Sequence, residues 1–423
     1  MKIAILNQPL ANRGDEAAHK AFIRQLSKAL PESHIDVLFL CEKVILIDAI
    51  KIDGNNIRYI NIPKLKFEGT IQKYSFLFNA FFLSYLHPSL FKFRNALKHY
   101  DKVICAPGGI CMGGFLNWNH IWQLTVAKRL HKSIFYWARS IGPFTEEDFA
   151  HSIFKKRSYE LLKYFSYTSL RDEISVGISK KIGINTNEVV DSAFLEIPNA
   201  SVPKSLKNQI GDDFVVFVPN QLTWHYRYKK IQQERIDRFY LEIISLVEKK
   251  FPDRKIVMLP QIYKSEVDDC KYFKHLKEKS NSTHIIVIDE NQNSDIQQKI
   301  ISSATFVIGA RYHSVVFAIN NCIPFVSLSY EHKMTGLLEK LNLKKQSVEI
   351  QDIFDSRNEE AQRSALDELE EKLSETGTVD IYTGSKNPQK IVSEGFDLFV
   401  NALRSGKYEG FNSSNIYREE IYM

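Results

Sequence analysis

The fold is indicated most clearly by FVIGARYH at residues 306–313, followed at once by SVVFAI at 314–319. This pattern predicts a buried strand, a turn at Gly309, and a helix whose first turn carries Arg311 and His313. A helix N-terminus has unpaired N–H groups and a positive dipole end, so it attracts anions. Arginine adds a bidentate donor for phosphate or carboxylate, and histidine adds a group that exchanges protons near neutral pH. The junction therefore predicts a catalytic site.

Short apolar runs alternate with helix-like segments along the whole chain. This alternation predicts an α/β fold in which helices cover parallel sheets. A polar, proline-bearing stretch at 197–203 divides the chain into two series of similar size, so we predict two Rossmann-like domains facing a cleft. The predicted strands are 2–7, 35–41, 102–106, 133–138, 166–170 and 187–191 in the first series, and 214–218, 255–259, 284–288, 305–308 and 324–328 in the second.

The domain boundaries follow from this linker. We predict an N-terminal domain at 1–197, a C-terminal domain at 204–385, and a C-terminal helix with a polar tail at 386–423. In open parallel sheets, ligands bind beyond the carboxyl ends of the strands. Because Arg311 and His313 follow such a strand end, we expect both side chains to face the cleft.

The bulk composition limits the classes of partner. The 423 residues include 56 Lys and Arg against 50 Asp and Glu, a net charge of +6 that fits an anionic substrate or a membrane surface without requiring nucleic acid. Five cysteines without Cys-x-x-Cys spacing indicate reduced thiols, not a zinc site or disulfides. The N-terminus lacks a signal-peptide pattern, and no apolar run reaches the ~18 residues that cross a bilayer. We expect a cytoplasmic protein, with the inner face of the cell membrane as the alternative location.

Basic side chains are predicted at two further strand ends. Arg171 follows the strand at 166–170, and Lys333 follows the strand at 324–328. Arg171 belongs to the opposite wall of the cleft from Arg311. Two arginines on facing walls would clamp a ligand that carries two negative charges.

The remaining candidate substrate contacts lie in turns beside these strands. Asn12 and Asp15 come between the first strand and the first helix, where a turn with an Asp cap is an equally good interpretation. Ser140 closely follows another strand of the first series, and Tyr312 separates the arginine and the histidine of the opening motif. We assign all four side chains to substrate binding.

Acidic pairs offer weaker signals. Residues 268–269 and 289–290 could suggest a metal, but their polar helix-and-loop context favours solvated faces. Glu331 and Glu339 have the spacing found in some nucleotide-sugar glycosyltransferases, which helices also produce by chance. The sequence contains neither a P-loop nor a dinucleotide-binding fingerprint. We predict no metal and no cofactor.

One segment, residues 74–86, breaks the α/β alternation. It is aromatic on nearly every side, and the basic residues Lys92, Arg94 and Lys98 follow it. An interfacial helix lying on a membrane would have this composition, which predicts peripheral membrane contact through residues 74–94. A packing helix buried between layers of the domain is the alternative.

Several motifs together resemble the polysaccharide pyruvyltransferase family. The most specific is Gly309-x-Arg311-x-His313 with Ser329-Tyr330-x-x-Lys333, and the others occur in the expected order over residues 3–345. The sequence departs from the family pattern at Ala138-Arg139, where a small residue and Gln are expected. The supporting motifs are Asn12-x-Gly14-Asp15-Glu16, Pro107-Gly108-Gly109, Ser140-Ile141-Gly142-Pro143, Leu170-Arg171-Asp172-Glu173-x-Ser175 and Asp191-Ser192-Ala193-Phe194.

The resemblance implies a GT-B-like fold and transfer of the enolpyruvyl group of phosphoenolpyruvate, as co-substrate, to a sugar acceptor to form a pyruvate ketal. The acceptor would belong to a surface-polysaccharide precursor, a lipid-linked oligosaccharide or a nucleotide-linked sugar. Arg171 and Arg311 would anchor the phosphate and carboxylate, and His313 would be the general acid. Lys333 and the helix N-terminus would stabilise the departing phosphate.

Two other functions fit the sequence. A GT-B glycosyltransferase would bind a nucleotide sugar, with Glu331 and Glu339 gripping the ribose and the sugar. A scaffold or sensor derived from the same fold would need no catalytic His313.

Overall fold

The structure is a computed structural model, and it describes residues 1–10, 12–42, 44–48, 50–113, 115–225, 227–263, 267–289, 292–354, 359–375 and 380–406. These residues form two β-sheets whose strands pair in parallel throughout. The predicted polar tail and Glu290 lie outside the described residues.

The first sheet has the strand order β3-β2-β1-β4-β6-β7-β8, and β5 pairs with β6. Its strands are β1 (Lys2–Leu6), β2 (His34–Cys41), β3 (Ile57–Pro63), β4 (Lys102–Cys105), β5 (Gly108–Met112), β6 (Ser133–Ile141), β7 (Tyr167–Leu170) and β8 (Asn187–Glu188). Its helices are α1 (Arg13–Ala29), α2 (Val44–Asp48), α3 (Glu68–Leu77), α4 (Pro88–Leu97), α5 (Trp118–Arg129), α6 (Phe149–Leu162) and α7 (Glu173–Lys181), with 3₁₀ helices at Phe81–Leu86 and Ser192–Leu195.

The second sheet has the strand order β11-β10-β9-β12-β13-β14. Its strands are β9 (Phe214–Val218), β10 (Lys255–Met258), β11 (Ile285–Val287), β12 (Phe306–Gly309), β13 (Phe325–Ser329) and β14 (Ser347–Glu349). The helices of this half are α8 (Lys204–Ile210), α9 (Gln233–Lys250), α10 (Asp269–Ser280), α11 (Ser294–Ile301), α12 (Tyr312–Asn320), α13 (His332–Lys340), α14 (Glu359–Ser374) and α15 (Pro388–Ser405), with a 3₁₀ helix at Lys344–Gln346.

The predicted fold class, two Rossmann-like α/β units, is confirmed. The central strands β9 and β13 are buried at every position, because helices cover both faces of a parallel sheet. The sequence analysis missed β3, β5 and β14. Each of these is a peripheral strand with a partly exposed or very short run, so its apolar pattern is weak.

Helix α1 joins the two halves at the carboxyl ends of their sheets. The Arg13 backbone N–H donates to the Gln261 carbonyl at 3.0 Å, just beyond β10. The buried Glu16 carboxylate accepts from both the backbone N–H and the hydroxyl of Ser294, at 3.0 and 3.1 Å. Arg24 adds ion pairs to Asp295 and to a second carboxylate, Glu196. The chain after β1 therefore lies against the loops of the second sheet.

The last described helix, α15, returns to the first sheet. Phe399 packs against Trp137 of β6, with ring centroids 4.9 Å apart, and against Tyr167 of β7 at 5.5 Å. Its amphipathic pattern explains this position, because the buried residues recur at helical spacing along one face. The end of the second half thus stabilises the sheet of the first.

The aromatic segment at 74–86 is not one helix. Helix α3 ends at Leu77, Asn79 takes a left-handed backbone conformation with φ of 51°, and a 3₁₀ helix starts at Phe81. The break turns Phe76 and Phe81 into the interior and leaves other aromatic rings in solvent. Neither a single interfacial helix nor a buried one describes the segment.

Candidate active site

A pocket of about 100 Å³ lies where the carboxyl ends of the two sheets meet. Seven of the eight predicted site residues line it, and the eighth, Ser140, does not. Five further residues line it that the sequence does not assign to the site, although Gly109 and Tyr330 belong to the motifs quoted above. The full lining is Asn12, Asp15, Gly109, Arg171, Trp224, Gln261, Ile262, Arg311, Tyr312, His313, Tyr330 and Lys333. The roles assigned to the seven remain predictions, but their convergence is a property of the fold.

His313 reaches from α12 toward the first half of the molecule. Its Nε2 lies 3.6 Å from a carboxylate oxygen of Asp191, a residue that is fully buried in the first half. Asp191 also pairs with Arg171. Burial alone would raise the pKa of Asp191, but Arg171 and His313 outweigh burial and hold that pKa below its usual value. Asp191 therefore stays a carboxylate beside the imidazole of His313.

Gly14 makes the close approach of His313 possible. A Cβ atom at this position of α1 would lie 1.8 Å from His313 Nδ1, far inside van der Waals contact. Only glycine lacks that atom, so the glycine of the Asn12-x-Gly14-Asp15 motif serves the histidine ring of the other half. This is a packing requirement between motifs about 300 residues apart.

Arg171 is held in place before any ligand binds. Its Nε donates to the Ser140 hydroxyl at 3.1 Å and its Nη1 donates to Asp191. Ser140 is 1% exposed and does not line the pocket; the structure places its hydroxyl against Arg171, and its predicted contact with substrate stays a prediction. The Nη2 group has no hydrogen-bond partner among the described residues and lies 4.0 Å from the Cβ position of Gly109.

Arg311 is anchored within the second half. Its Nη2 donates to Asp269, which is 1% exposed and also accepts the backbone N–H groups of Gln261 and Ile262, each at 3.0 Å. The expectation of a solvated face at 268–269 is therefore wrong for Asp269. The Trp224 ring lies 5.6 Å from the guanidinium carbon. The Nε of Arg311 has no hydrogen-bond partner within the described part of the chain.

Tyr312 stands between the cations of the two walls. Its ring centroid is 5.0 Å from the guanidinium carbon of Arg171 and 5.7 Å from Nζ of Lys333. The ring of His313 meets it edge-on at 5.0 Å. Burial raises the pKa of Tyr312, so its hydroxyl stays protonated and can act as a neutral donor.

Lys333 is paired with Glu331, with Nζ 2.5 Å from the carboxylate. Burial would raise the pKa of Glu331, but the charge and hydrogen bond of Lys333 hold it below its usual value. Nε2 of His225 is 3.8 Å from the same carboxylate. Glu339, in contrast, pairs with Lys344 and does not line the pocket.

Asp15 and Asn12 have different positions at the start of α1. Asn12 is the N-cap, and its side-chain oxygen accepts the Gly14 N–H at 2.8 Å, so the cap is Asn12 and not Asp15. The Asp15 carboxylate is half-buried and faces the pocket beside Gly108, whose Cβ position is 3.4 Å from it. No hydrogen-bond partner of this carboxylate is found among the residues that the structure describes.

Arg139, the departure from the expected motif, is fully buried behind the pocket. Its Nη1 donates to the carbonyls of Ala106 and Asn7 at 2.6 and 3.1 Å, and its Nη2 donates to Cys111 Sγ at 3.0 Å. Its guanidinium forms no ion pair within the described ranges. Arg139 therefore stabilises the strand ends behind the pocket through hydrogen bonds, and it is not placed to contact a ligand.

Comparison with known proteins agrees with this arrangement. The family model described as polysaccharide pyruvyl transferase matches residues 12–332, which contain every residue of the pocket except Lys333. The chain belongs to this family. It is also 24% identical over 405 residues to the amylovoran biosynthesis protein AmsJ of Erwinia amylovora, covering 88% of this chain and 93% of the relative. A transferase of polysaccharide biosynthesis is the class that these findings support.

Solved structures show which architecture the family member shares. UDP-GlcNAc 2-epimerase from Methanocaldococcus jannaschii has a TM-score of 0.56 at 14% identity, covering 95% of this chain and 100% of that one. The enzyme of the same name from Neisseria meningitidis has a TM-score of 0.58 at 11% identity, covering 96% and 100%. The identities are low, so the likeness concerns the fold alone. The predicted GT-B-like arrangement is confirmed.

Within the described ranges, no helix combines the length and the apolar character that crossing a bilayer requires.

Proposed function

We propose that this family member transfers the pyruvyl group of phosphoenolpyruvate to two hydroxyls of a sugar in an exopolysaccharide precursor, forming a ketal and releasing phosphate. One observation carries the proposal. Arg171, Arg311, Lys333 and His313 converge on one small pocket from three strand ends, those of β7, β12 and β13. A phosphate and a carboxylate on one small molecule need such a set of cations, and the carbon–carbon double bond of the enol phosphate needs an acid to protonate it.

The donor would bind to the N–H groups that the protein leaves unused. Each cation already has a carboxylate partner, so the pocket does not carry a large excess of positive charge. The partners instead hold the guanidinium groups in fixed positions, which is the arrangement that favours recognition without reorganisation. Nη2 of Arg171 and Nε of Arg311 remain for the ligand, together with the N-terminal amides of α12.

Protonated His313 would start the reaction. It gives its proton to the methylene carbon, and the carbon that bears the phosphate becomes oxocarbenium-like. A sugar hydroxyl attacks this carbon and loses its proton to Asp15, the one pocket carboxylate that the described residues leave without a hydrogen bond. The product of this step is a tetrahedral phosphate-bearing adduct.

The second half of the reaction expels phosphate. Lys333 and the amides at the start of α12 stabilise the charge that develops on the departing oxygen. The second sugar hydroxyl then attacks the same carbon, and its proton leaves with the phosphate. Two C–O bonds form, one C–O bond to phosphate breaks, and the methylene becomes a methyl group, so the atoms balance.

A ligand-protection experiment tests this function. We expect phosphoenolpyruvate, but not uridine nucleotides, to raise the unfolding temperature of the protein, since a ligand that binds only the folded state stabilises it. Protection by UDP without protection by phosphoenolpyruvate would contradict the proposal and favour a glycosyltransferase.

Replacement of the acid provides the second test. We expect His313→Ala to reduce pyruvyl transfer by ~10²-fold or more, because general acid catalysis contributes at least that much. Mass spectrometry of lipid-linked oligosaccharides incubated with phosphoenolpyruvate would record a gain equal to pyruvate less water. Unchanged pyruvyl transfer in His313→Ala would overturn the role of His313 as the acid. Absence of transfer in the unmodified protein, together with intact biological activity in His313→Ala, would favour a non-enzymatic scaffold.

A further inference from the structure

The segment between β3 and β4, residues 64–98, leaves much apolar side chain in solvent. It contains eight of the fourteen large hydrophobic residues that are exposed in the described part of the chain. Phe67 and Phe78 are each 74% exposed, Phe82 is 64% exposed and Leu86 is 80% exposed. Single exposed apolar residues are ordinary, but a cluster of this size marks an interaction surface. We refer to these eight side chains as the 64–98 surface: Leu65, Phe67, Tyr74, Phe78, Phe82, Leu83, Leu86 and Phe91.

The 64–98 surface rests on a rigid base. Phe76 and Phe81, whose rings are 5.3 Å apart, are buried directly beneath it and pack on Trp118 and Trp122 of α5 at 5.8 and 5.9 Å. The exposed rings are therefore presented by an ordered scaffold. Between α3 and the following 3₁₀ helix lies an apolar groove of about 410 Å³, with a lining that includes Ile71, Tyr74, Phe78, Leu83, Leu86 and Pro88.

Within residues 64–98, every exposed charge is positive. Residues 64–98 contain one acidic residue, Glu68, which is 1% exposed and accepts a hydrogen bond from the Ser89 hydroxyl at 2.6 Å. The acid is therefore withdrawn from the surface. The six basic residues of the segment, all at least partly exposed, are Lys64, Lys66, Lys73, Lys92, Arg94 and Lys98.

The 64–98 surface is connected to the pocket through the start of α5. Gln72 of α3 donates to the side chain of Asn119 at 2.9 Å. The chain just before α5 carries Phe115, itself exposed, whose ring lies 6.4 Å from that of His225. His225 contacts Glu331, the partner of Lys333 in the pocket. These contacts link the base of the 64–98 surface, through the start of α5 and His225, to the Glu331–Lys333 pair of the pocket.

We propose that the 64–98 surface docks on an anionic lipid bilayer. Aromatic and leucine side chains enter the interface, the groove takes a hydrocarbon chain, and the surrounding lysines contact phosphate head groups. The segment combines exposed aromatic side chains with basic residues and has no exposed acid. This combination fits an anionic bilayer better than it fits a protein partner. Docking itself is independent of the transfer chemistry. That it brings a lipid-linked acceptor to the pocket rests on the proposed function.

Vesicle sedimentation with the full chain tests the docking. We expect the protein to pellet with vesicles that contain phosphatidylglycerol, to pellet at least ~10-fold less with phosphatidylcholine alone, and to lose binding as salt is raised. Phe78→Ser with Leu86→Ser should weaken binding ~10-fold or more, because two of the most exposed apolar side chains no longer enter the interface.

Matched variants keep the test specific. Ile45→Ser with Ile197→Ser also removes two side chains that are 75% and 58% exposed, but both lie outside the segment, and this variant should bind as the unmodified protein does. Lys66→Ala should weaken binding about fivefold. Circular dichroism before each measurement confirms that all three variants are folded.

Three results would overturn the proposal: no pelleting of the unmodified protein, equal binding of the Phe78/Leu86 and Ile45/Ile197 variants, or binding that ignores lipid charge. If the unmodified protein is a dimer in size-exclusion chromatography and the Phe78/Leu86 variant a monomer, the surface joins two copies of the chain instead. Failure of the proposed function would appear separately, as absence of protection by phosphoenolpyruvate without vesicles.

Discussion

The two walls of the pocket hold their charged groups in different ways. On the wall from the second sheet, Arg311 is paired with Asp269 and Lys333 with Glu331, so each cation has a partner on its own wall. On the other wall, Asp191 pairs with Arg171 but also faces His313, which crosses from the opposite side. The proposed donor anchors are each complete within one half, whereas the proposed acid is positioned only when both halves are in place.

Because the two walls differ in this way, substitutions that mainly affect stability should be distinct from substitutions that mainly affect catalysis. Loss of a carboxylate that serves a buried cation should mainly destabilise the half that contains it. Loss of the contacts around His313 should mainly lower the rate, because the ring depends on Gly14 and Asp191 of the other half for its position. Four substitutions test the distinction.

The largest effect is expected from Asp269→Ala. It leaves the buried Arg311 charge unpaired and removes the acceptor of two backbone N–H groups, which should cost about 3–5 kcal/mol of unfolding free energy. Urea unfolding measures the change. Asp268→Ala, which removes only the N-cap of α10, is the matched control and should cost about 1 kcal/mol. Equal losses of unfolding free energy in the two variants would contradict the view that Asp269 holds Arg311 within the second half.

Asp191→Asn should cost somewhat less, about 3 kcal/mol near neutral pH, since the amide still accepts a hydrogen bond from Arg171. Although burial raises the pKa of Asp191, Arg171 and His313 lower it below its usual value in the folded state. A depressed carboxyl pKa contributes stability above the unfolded value of about 3.9, and that stability is lost as pH falls. Urea unfolding across pH should therefore show a constant gap between variant and parent from about pH 5 to 7, narrowing below about pH 4. A gap that widens in acid would show that the charge of Asp191 is not the cause.

Gly14→Ala tests the cross-wall position of His313. The new Cβ would overlap the imidazole, so the ring must move, and a displacement of this kind should lower kcat ~10²-fold while leaving protection by phosphoenolpyruvate largely intact. Gly177→Ala in α7 is the control, because its Cβ would meet nothing within 4 Å. If both variants retain full activity, His313 is not held by Gly14 in the active protein.

The sequence predicts the elements of this site better than it predicts their partners. The strand, turn and helix around Arg311 follow from local apolar patterning, and strand-end placement follows from parallel α/β topology. Asp269 was assigned to a solvated face because its neighbours are polar. Its partner, Arg311, is 42 residues away, and no local pattern reports that pairing.

The support for Arg171 shows the same limit. The sequence predicts Ser140 just beyond a strand end and in contact with substrate, but the structure places it inside β6, buried, where its hydroxyl accepts from Arg171. Trp224 lies in a loop without a periodic pattern, so nothing in the sequence assigned it to the pocket. Positions along one element are predictable from periodicity, whereas contacts between elements depend on how the two sheets face each other.

The smallest effect concerns Asn12, which caps α1 and also lines the pocket. Asn12→Ala should cost about 1 kcal/mol of unfolding free energy through loss of the cap. Asn12→Ser keeps a cap and should restore that stability in urea unfolding. If Asn12 also binds substrate, the serine variant will have normal stability but a raised KM for the sugar, because the side-chain amide donor is gone. If the serine variant has both normal KM and normal stability, the role of Asn12 is limited to positioning α1. That position in turn places Gly14 against the ring of His313 from the opposite wall.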